Sequence, residues 1–302
     1  MIKNFYDNHV PFSDRIFVLF LILAALIGSI FFLINHLVTH YQGWDYAPPL
    51  VWIKTIATLF VWTAGLYIMK FAPRIGFTAR TVAIGQLMYC AAGVLAFGVQ
   101  FTPFPLIDKF LMRSDQWFHI NTAALLILTH RFPSIRHLFK LSYQSMEWQF
   151  LFLPIILAIL LEKHAVNELL LNIFLSFMIG TVIYYFLPAN GPLSYINSPY
   201  FSQEERDVII RFYEVHHHLS ITTGLGGLTT FPSFHVIWLT QLTYAAYCRK
   251  WLFFPLIVIN TIAIFSTLFL GWHYLIDIIG GFILVGITLF LVKRIYRDKK
   301  DE

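Results

Sequence analysis

Runs of roughly twenty consecutive apolar residues recur along this 302-residue chain, and they decide its solvent before any motif is read. A helix of that length spans a ~30 Å hydrocarbon core and satisfies its own backbone donors and acceptors, which an irregular chain in lipid cannot do. The runs cover 16–37, 50–69, 81–101, 148–161, 168–187, 235–247, 252–270 and 274–292, the fourth and sixth being short. They predict an all-α fold, a polytopic membrane helical bundle of about eight transmembrane helices. A composition of 58% hydrophobic and 12% charged residues, with mean hydropathy +0.68, excludes an ordinary soluble domain. Cys90 and Cys248 lie within or at the end of apolar runs, where they behave as small hydrophobes rather than as a disulfide framework.

A net charge of +5 in a soluble chain would point to nucleic acid. Here the basic residues gather at helix ends and set orientation instead, so no nucleic-acid partner is expected. Lys70, Arg74 and Arg80 mark one cytoplasmic loop, Arg249 and Lys250 a second, and Lys293, Arg294, Arg297, Lys299 and Lys300 the tail. With eight spans both termini are cytoplasmic, and the turns near Gly191, Pro232 and Gly271 open on the opposite face. The first run is too long for a signal-peptide core and reads as a membrane anchor. Arg131, Arg136 and Lys140 fall on the outer side in this count. Residues 103–143 are therefore expected to lie in the interface, with Asp108, Lys109, Arg113 and Asp115 spaced to share a helix face. Residues 198–230 form the one long polar stretch between spans, and Gln203, Glu204, Glu205, Arg206 and Asp207 resemble the first turns of a short helix capping that face.

Ionisable groups inside membrane segments cost ~2.5–3.5 kcal/mol on insertion scales, so each is a functional hypothesis by default. His273 and Asp277 begin the last run at i and i+4 and project from one helix face. The carboxylate can accept one ring proton and leave the other nitrogen free as a nucleophile; a helix-stabilising His–Asp bond is the plainer alternative. His235 begins a different run at the same predicted face, which brings two histidines and an aspartate to one depth. Before it comes a glycine-rich approach from Thr223 through Gly226 and Gly227 to Pro232 and Ser233. Inward-turned backbone N–H groups and a helix N-terminus there suit an anion such as phosphate, although such a loop is more commonly a flexible connection.

These residues resemble the type 2 phosphatidic acid phosphatase superfamily, whose members share a Pro-Ser-Gly-His motif and a later Ser-Arg-x5-His-x3-Asp motif. Phe231-Pro-Ser-Phe-His235 is similar to the first, and Ser266 to Asp277, with His273 between, keeps the spacing of the second. Together with Pro188-Ala-Asn-Gly-Pro192 and Gly271-Trp-His-Tyr-Leu-Ile-Asp277, they resemble most the branch of inositol phosphorylceramide synthase and related inositolphosphotransferases. Pro105 to Asp115 is similar to the interfacial helix that such proteins carry before their core. The resemblance divides the chain into N-terminal transmembrane helices, 1–102, and a catalytic core, 103–302. Two departures stand out: no Lys-x6-Arg-Pro motif precedes Ala189-Asn-Gly-Pro192, and Thr267 replaces the arginine of the last motif.

The resemblance implies that His273 attacks a lipid phosphorus to form a phosphohistidine, that Asp277 orients its ring, and that His235 protonates the leaving oxygen. His235 then serves as base toward a lipid alcohol acceptor in a phosphotransferase, or toward water in the alternative, a lipid phosphate phosphatase hydrolysing phosphatidic acid-like monoesters. Ser233, Gly226 and Gly227 bind the phosphate oxygens. Arg211, the triplet His216-His217-His218 (His217 foremost) and Arg113 are candidates to replace the lost cations, and Asp108, Arg113 and Asn190 to touch substrate. The implied partners are a phospholipid donor, the acceptor and the membrane; no metal or cofactor is expected. Three rivals stay open: a metal centre on the same three side chains, a transporter or flippase, and a structural subunit. A transporter predicts polar residues through the full depth of several spans, whereas here they gather at one face and the inner halves read as apolar.

Overall fold

The computed structural model describes residues 11–39, 50–99, 101–217, 219, 222–223 and 230–297. Among these residues it is all helical, with eleven α-helices, one 3₁₀ turn at Pro192–Ser194 and no strand. In chain order the helices are α1 (Phe12–Thr39), α2 (Leu50–Ile68), α3 (Pro73–Val99), α4 (Asp108–Trp117), α5 (Thr122–Arg131), α6 (Pro133–Ile159), α7 (Lys163–Phe186), α8 (Gln203–His216), α9 (Phe234–Ala246), α10 (Lys250–Phe269) and α11 (Leu275–Arg297).

Five of them, α1, α3, α7, α10 and α11, are long and apolar enough to cross a membrane, which makes the protein a multi-pass integral membrane protein. Among the described residues five helices meet this measure where eight spans were expected, and two of the others differ for local reasons. α9 has only 13 residues and rises ~20 Å, short of a ~30 Å core. α6 has 27 residues, but Arg136, His137, Lys140 and Glu147 occupy its first half. The segment expected at the interface is three pieces rather than one. Asn121 caps α5 by accepting from the Ala124 N–H at 3.0 Å, Pro133 starts α6, and α6 then runs unbroken past Tyr143 into the fourth apolar run.

α7 is the most enclosed span and lies at the centre, packed by α3, α6, α9 and α11. The inner halves are less apolar than the sequence reading holds. Gln241 of α9 donates to the Asn172 carbonyl of α7 at 3.2 Å and to Thr288 Oγ1 of α11 at 3.2 Å, and Gln149 of α6 donates to Asn260 of α10 at 2.7 Å. Interhelical hydrogen bonds of this kind fasten helices that have no hydrophobic drive toward one another in lipid.

Arg80 is not a loop charge. It lies within α3, is 1% exposed, and pairs with Asp14 of α1. Its guanidinium also donates to Ser13 and to Asn167 of α7 at 3.0 Å each, and Trp62 of α2 donates to Asp14 at 2.8 Å. The three N-terminal helices are thus bolted to the central span at the end away from His273. Removing one partner strands a buried charge. Asp14→Ala is expected to lower stability by about 3–5 kcal/mol, with a smaller loss in the Asp14→Leu/Arg80→Met pair. Thermal unfolding in detergent checks this; equal losses in the two variants would contradict it.

Candidate active site

Two helix starts build the site. Ser233, fully buried, caps α9 by accepting from the Val236 N–H at 3.4 Å, which points His235 of the first turn toward α11. The Ser233 N–H donates to the Asp277 carbonyl at 3.1 Å. That approach needs small residues on α11: a Cβ at Gly281 would stand 3.0 Å from the Ser233 oxygen, and one at Gly280 would stand 2.9 Å from the Phe231 ring.

The last helix begins after a sharp reversal at Gly271, whose φ of +87° suits glycine, and where a Cβ would stand 2.7 Å from the Phe201 ring. The Trp272 and His273 N–H groups both donate to the Thr267 carbonyl, at 3.0 and 3.1 Å. His273 then lies 4% exposed with Nδ1 3.4 Å from Asp277 Oδ2. The same carboxylate oxygen accepts the Tyr274 N–H at 2.8 Å, and the Thr230 main chain hydrogen-bonds the His273 ring. The rings of His235 and His273 stand 5.7 Å apart, centroid to centroid, at 63°. Two histidines and a carboxylate from separate helices therefore converge.

Tyr143 of α6 and Trp272 are parts of this site that the sequence reading lacks. Tyr143 stacks on His235 at 4.2 Å and on Trp272 at 5.4 Å, forming one aromatic wall beside the histidines. No motif marks Tyr143, because the contact is made only when α6 packs against α9. Asp108, expected at the substrate, ties three parts of the chain together. It is fully buried, and its carboxylate accepts the Asn190 N–H at 2.9 Å, the Gly191 N–H at 2.7 Å and the Tyr274 hydroxyl at 3.3 Å. Burial raises its carboxyl above the usual range while those hydrogen bonds pull it down. Asn190 contributes its backbone to these bonds. Asp115, seven residues along α4, accepts the Leu275 N–H at 2.9 Å.

Arg113 is exposed on α4. Arg211 is half-buried on α8 with its Nε unpaired. His217 is exposed, stacks on Tyr213 at 3.9 Å and bonds the Tyr213 carbonyl through Nδ1 at 2.8 Å. Thr267, standing where the motif has arginine, is buried and donates to the Ile264 carbonyl at 2.7 Å. Gly226, Gly227 and His218 lie outside the described residues. Among the described residues no group of three or more His, Cys, Asp or Glu side chains is arranged to hold a metal ion.

The fold and the convergence of two helix-borne histidines on an aspartate define a polytopic membrane protein with a polar site at one end of its bundle. The PAP2 superfamily profile matches residues 109–291, more than half of the chain. The protein belongs to the PAP2 superfamily, whose members are phosphatases or phosphotransferases, and is therefore read as an enzyme. No curated protein and no solved structure matches it.

The start of α8 is fixed by a capping box in which Ser202 and Glu205 exchange hydrogen bonds. Burial pushes the Glu205 carboxyl up to about 7 from 4.5, against the Ser202 hydrogen bonds and Arg136, while Glu204 adds to the rise. Because the folded state holds this proton more tightly than the unfolded chain, stability falls as pH rises from 4.5 to about 7 and levels beyond. Glu205→Gln, which is permanently neutral, is expected to flatten that decline. Melting temperatures in detergent at about pH 5 and about pH 8 test it; an unchanged slope contradicts the assignment.

Proposed function

We propose that the protein is a membrane lipid phosphotransferase that moves a phospho-head group, inositol phosphate-like, from a phospholipid to a lipid alcohol through a phosphohistidine. The observation that carries this reading is the pairing of His235 with His273, the latter held through Nδ1 by Asp277. The ring nitrogen facing away from Asp277 is the nucleophile. Its lone pair forms the N–P bond as the P–O bond to the diacylglycerol breaks, and His235 gives that oxygen its proton. His235, now neutral, takes the proton of the acceptor hydroxyl. The new O–P bond forms, the N–P bond breaks, and both groups return to their starting states. Asp277 offsets the positive charge that the His273 ring acquires. Ser233 and the backbone around Gly226 and Gly227 are proposed to bind the non-bridging oxygens, with Arg211, His217 and Arg113 as the cations that replace the missing motif residues.

Transfer rather than hydrolysis is supported by the aromatic wall of Tyr143 and Trp272 against His235, since burying that face favours an apolar-tailed alcohol over water. In this reading 103–302 is the catalytic core and 1–102 its membrane anchor. The basic residues at the far helix ends support both termini in the cytoplasm and the histidines at the extracytoplasmic face.

His273→Ala is expected to lower turnover of phosphatidylinositol by about 10³-fold or more, as loss of a covalent nucleophile does elsewhere. Provided that the first displacement still proceeds, His235→Ala is expected to accumulate a phosphoenzyme that survives base and is lost in acid. Lipid product separation and acid-quench labelling are the measurements; near-normal turnover by His273→Ala removes the proposal.

A further inference from the structure

At Tyr274, the residue after His273, a cleft of about 370 Å³ opens against α4 and α5, and nothing in the proposed chemistry uses it. Its polar walls are Asp115, Gln116, His119, Asn121 and Thr122, and no lysine or arginine lines it among the described residues. Asp115 is 3% exposed. One of its oxygens is taken by the Leu275 N–H and the Ile276 N–H also acts on the carboxylate, while Oδ2 is buried without a hydrogen bond of regular geometry. A buried carboxylate oxygen left unpaired calls for a donor from outside the chain. Tyr274 is shared ground: it lines the cleft, its N–H holds Asp277, and it directly follows His273. A group seated in the cleft therefore lies against the residues that set the His273 ring.

We infer that this cleft is the head-group pocket, that it takes an uncharged polyhydroxyl group, and that Asp115 Oδ2 accepts from one of its hydroxyls. The inference rests on the phosphotransferase reading and deepens it. A carboxylate without cations repels a second phosphate. Amide, imidazole and hydroxyl groups around it offer a set of neutral donors and acceptors that several ring hydroxyls can meet together. Burial raises the Asp115 carboxyl to about 6, with Asp277 nearby adding to the rise, so it is still an acceptor at neutral pH.

The test uses the full-length protein in mixed micelles with phosphatidylinositol, phosphatidylethanolamine and phosphatidic acid. Asp115→Asn keeps an oxygen for the Leu275 N–H and replaces the free acceptor with a donor. Its kcat/KM for phosphatidylinositol, relative to that for phosphatidic acid, is expected to fall about 10- to 100-fold, the scale of a lost hydrogen bond to a charged group. Gln116→Leu, on an exposed side chain, is expected to shift the same ratio in the same direction and guards against a folding defect in the first variant. In parallel, saturation-transfer NMR with free myo-inositol is expected to show contact with wild type and reduced contact with Asp115→Asn. Equal losses on all three lipids, or a loss confined to phosphatidylethanolamine, overturn the inference. Inositol contact without any lipid turnover keeps the pocket and sinks the phosphotransferase reading, whereas turnover with unchanged ratios does the reverse.

Discussion

The first turn of α11 carries the arrangement at the histidine end of the molecule. A helix N-terminus presents unpaired N–H groups and a partial positive charge. Here those donors are met by carboxylates, Asp277 on the Tyr274 N–H and Asp115 on the Leu275 N–H. Asp108 reaches the same turn through the Tyr274 hydroxyl and holds the Asn190–Gly191 corner as well. One short polar helix, α4, thereby locks the loop after α7 and the start of α11 into one body. Ser233, donating to the Asp277 carbonyl, attaches the start of α9 to it. The separation of His235 and His273 follows from these few bonds rather than from the lipid-facing surfaces.

The opposite end is held by a different device. The Arg80–Asp14 pair lies among Ser13, Trp62 and Asn167, so its charges are compensated by hydrogen bonds as well as by each other. Between the two ends, side-chain amides and hydroxyls link α7 to α9 and α11. Polar groups in this bundle therefore serve two purposes: those in the middle tie helix to helix, and those at the α9 and α11 starts converge on a shared site. Polarity by depth alone does not separate a transport path from helix fastening, whereas the partners of each group do.

Much of this was legible in the chain. Apolar length gave the lipid setting, and the i, i+4 spacing of His273 and Asp277 with a separate Pro-Ser-x-His gave the convergence. The number of spans was not legible, because α9 is shorter than its apolar run needs and the polar first half of α6 belongs to the same helix as its apolar second half. Tyr143 was hidden because its contact depends on how α6 meets α9. The hydrogen bonds of Asp108 were not legible, because an acidic residue in an interfacial helix carries no mark of whether its oxygens meet the protein's own backbone. Arg80 was misplaced for a similar reason, since a basic residue near a helix start looks the same whether it faces water or a buried aspartate.

The central claim is a double displacement in which the phosphorus is bound in turn to lipid oxygen, to a His273 nitrogen and to a second oxygen. Its most direct test is stereochemical. A phosphatidylinositol analogue of defined chirality at phosphorus, made with a sulfur in place of one non-bridging oxygen, is turned over in the presence of a lipid alcohol, and the configuration of the product is read by phosphorus NMR. Two inversions return the starting configuration, and net retention is the result predicted here. Net inversion would mean a single direct displacement and would contradict a phosphohistidine at His273.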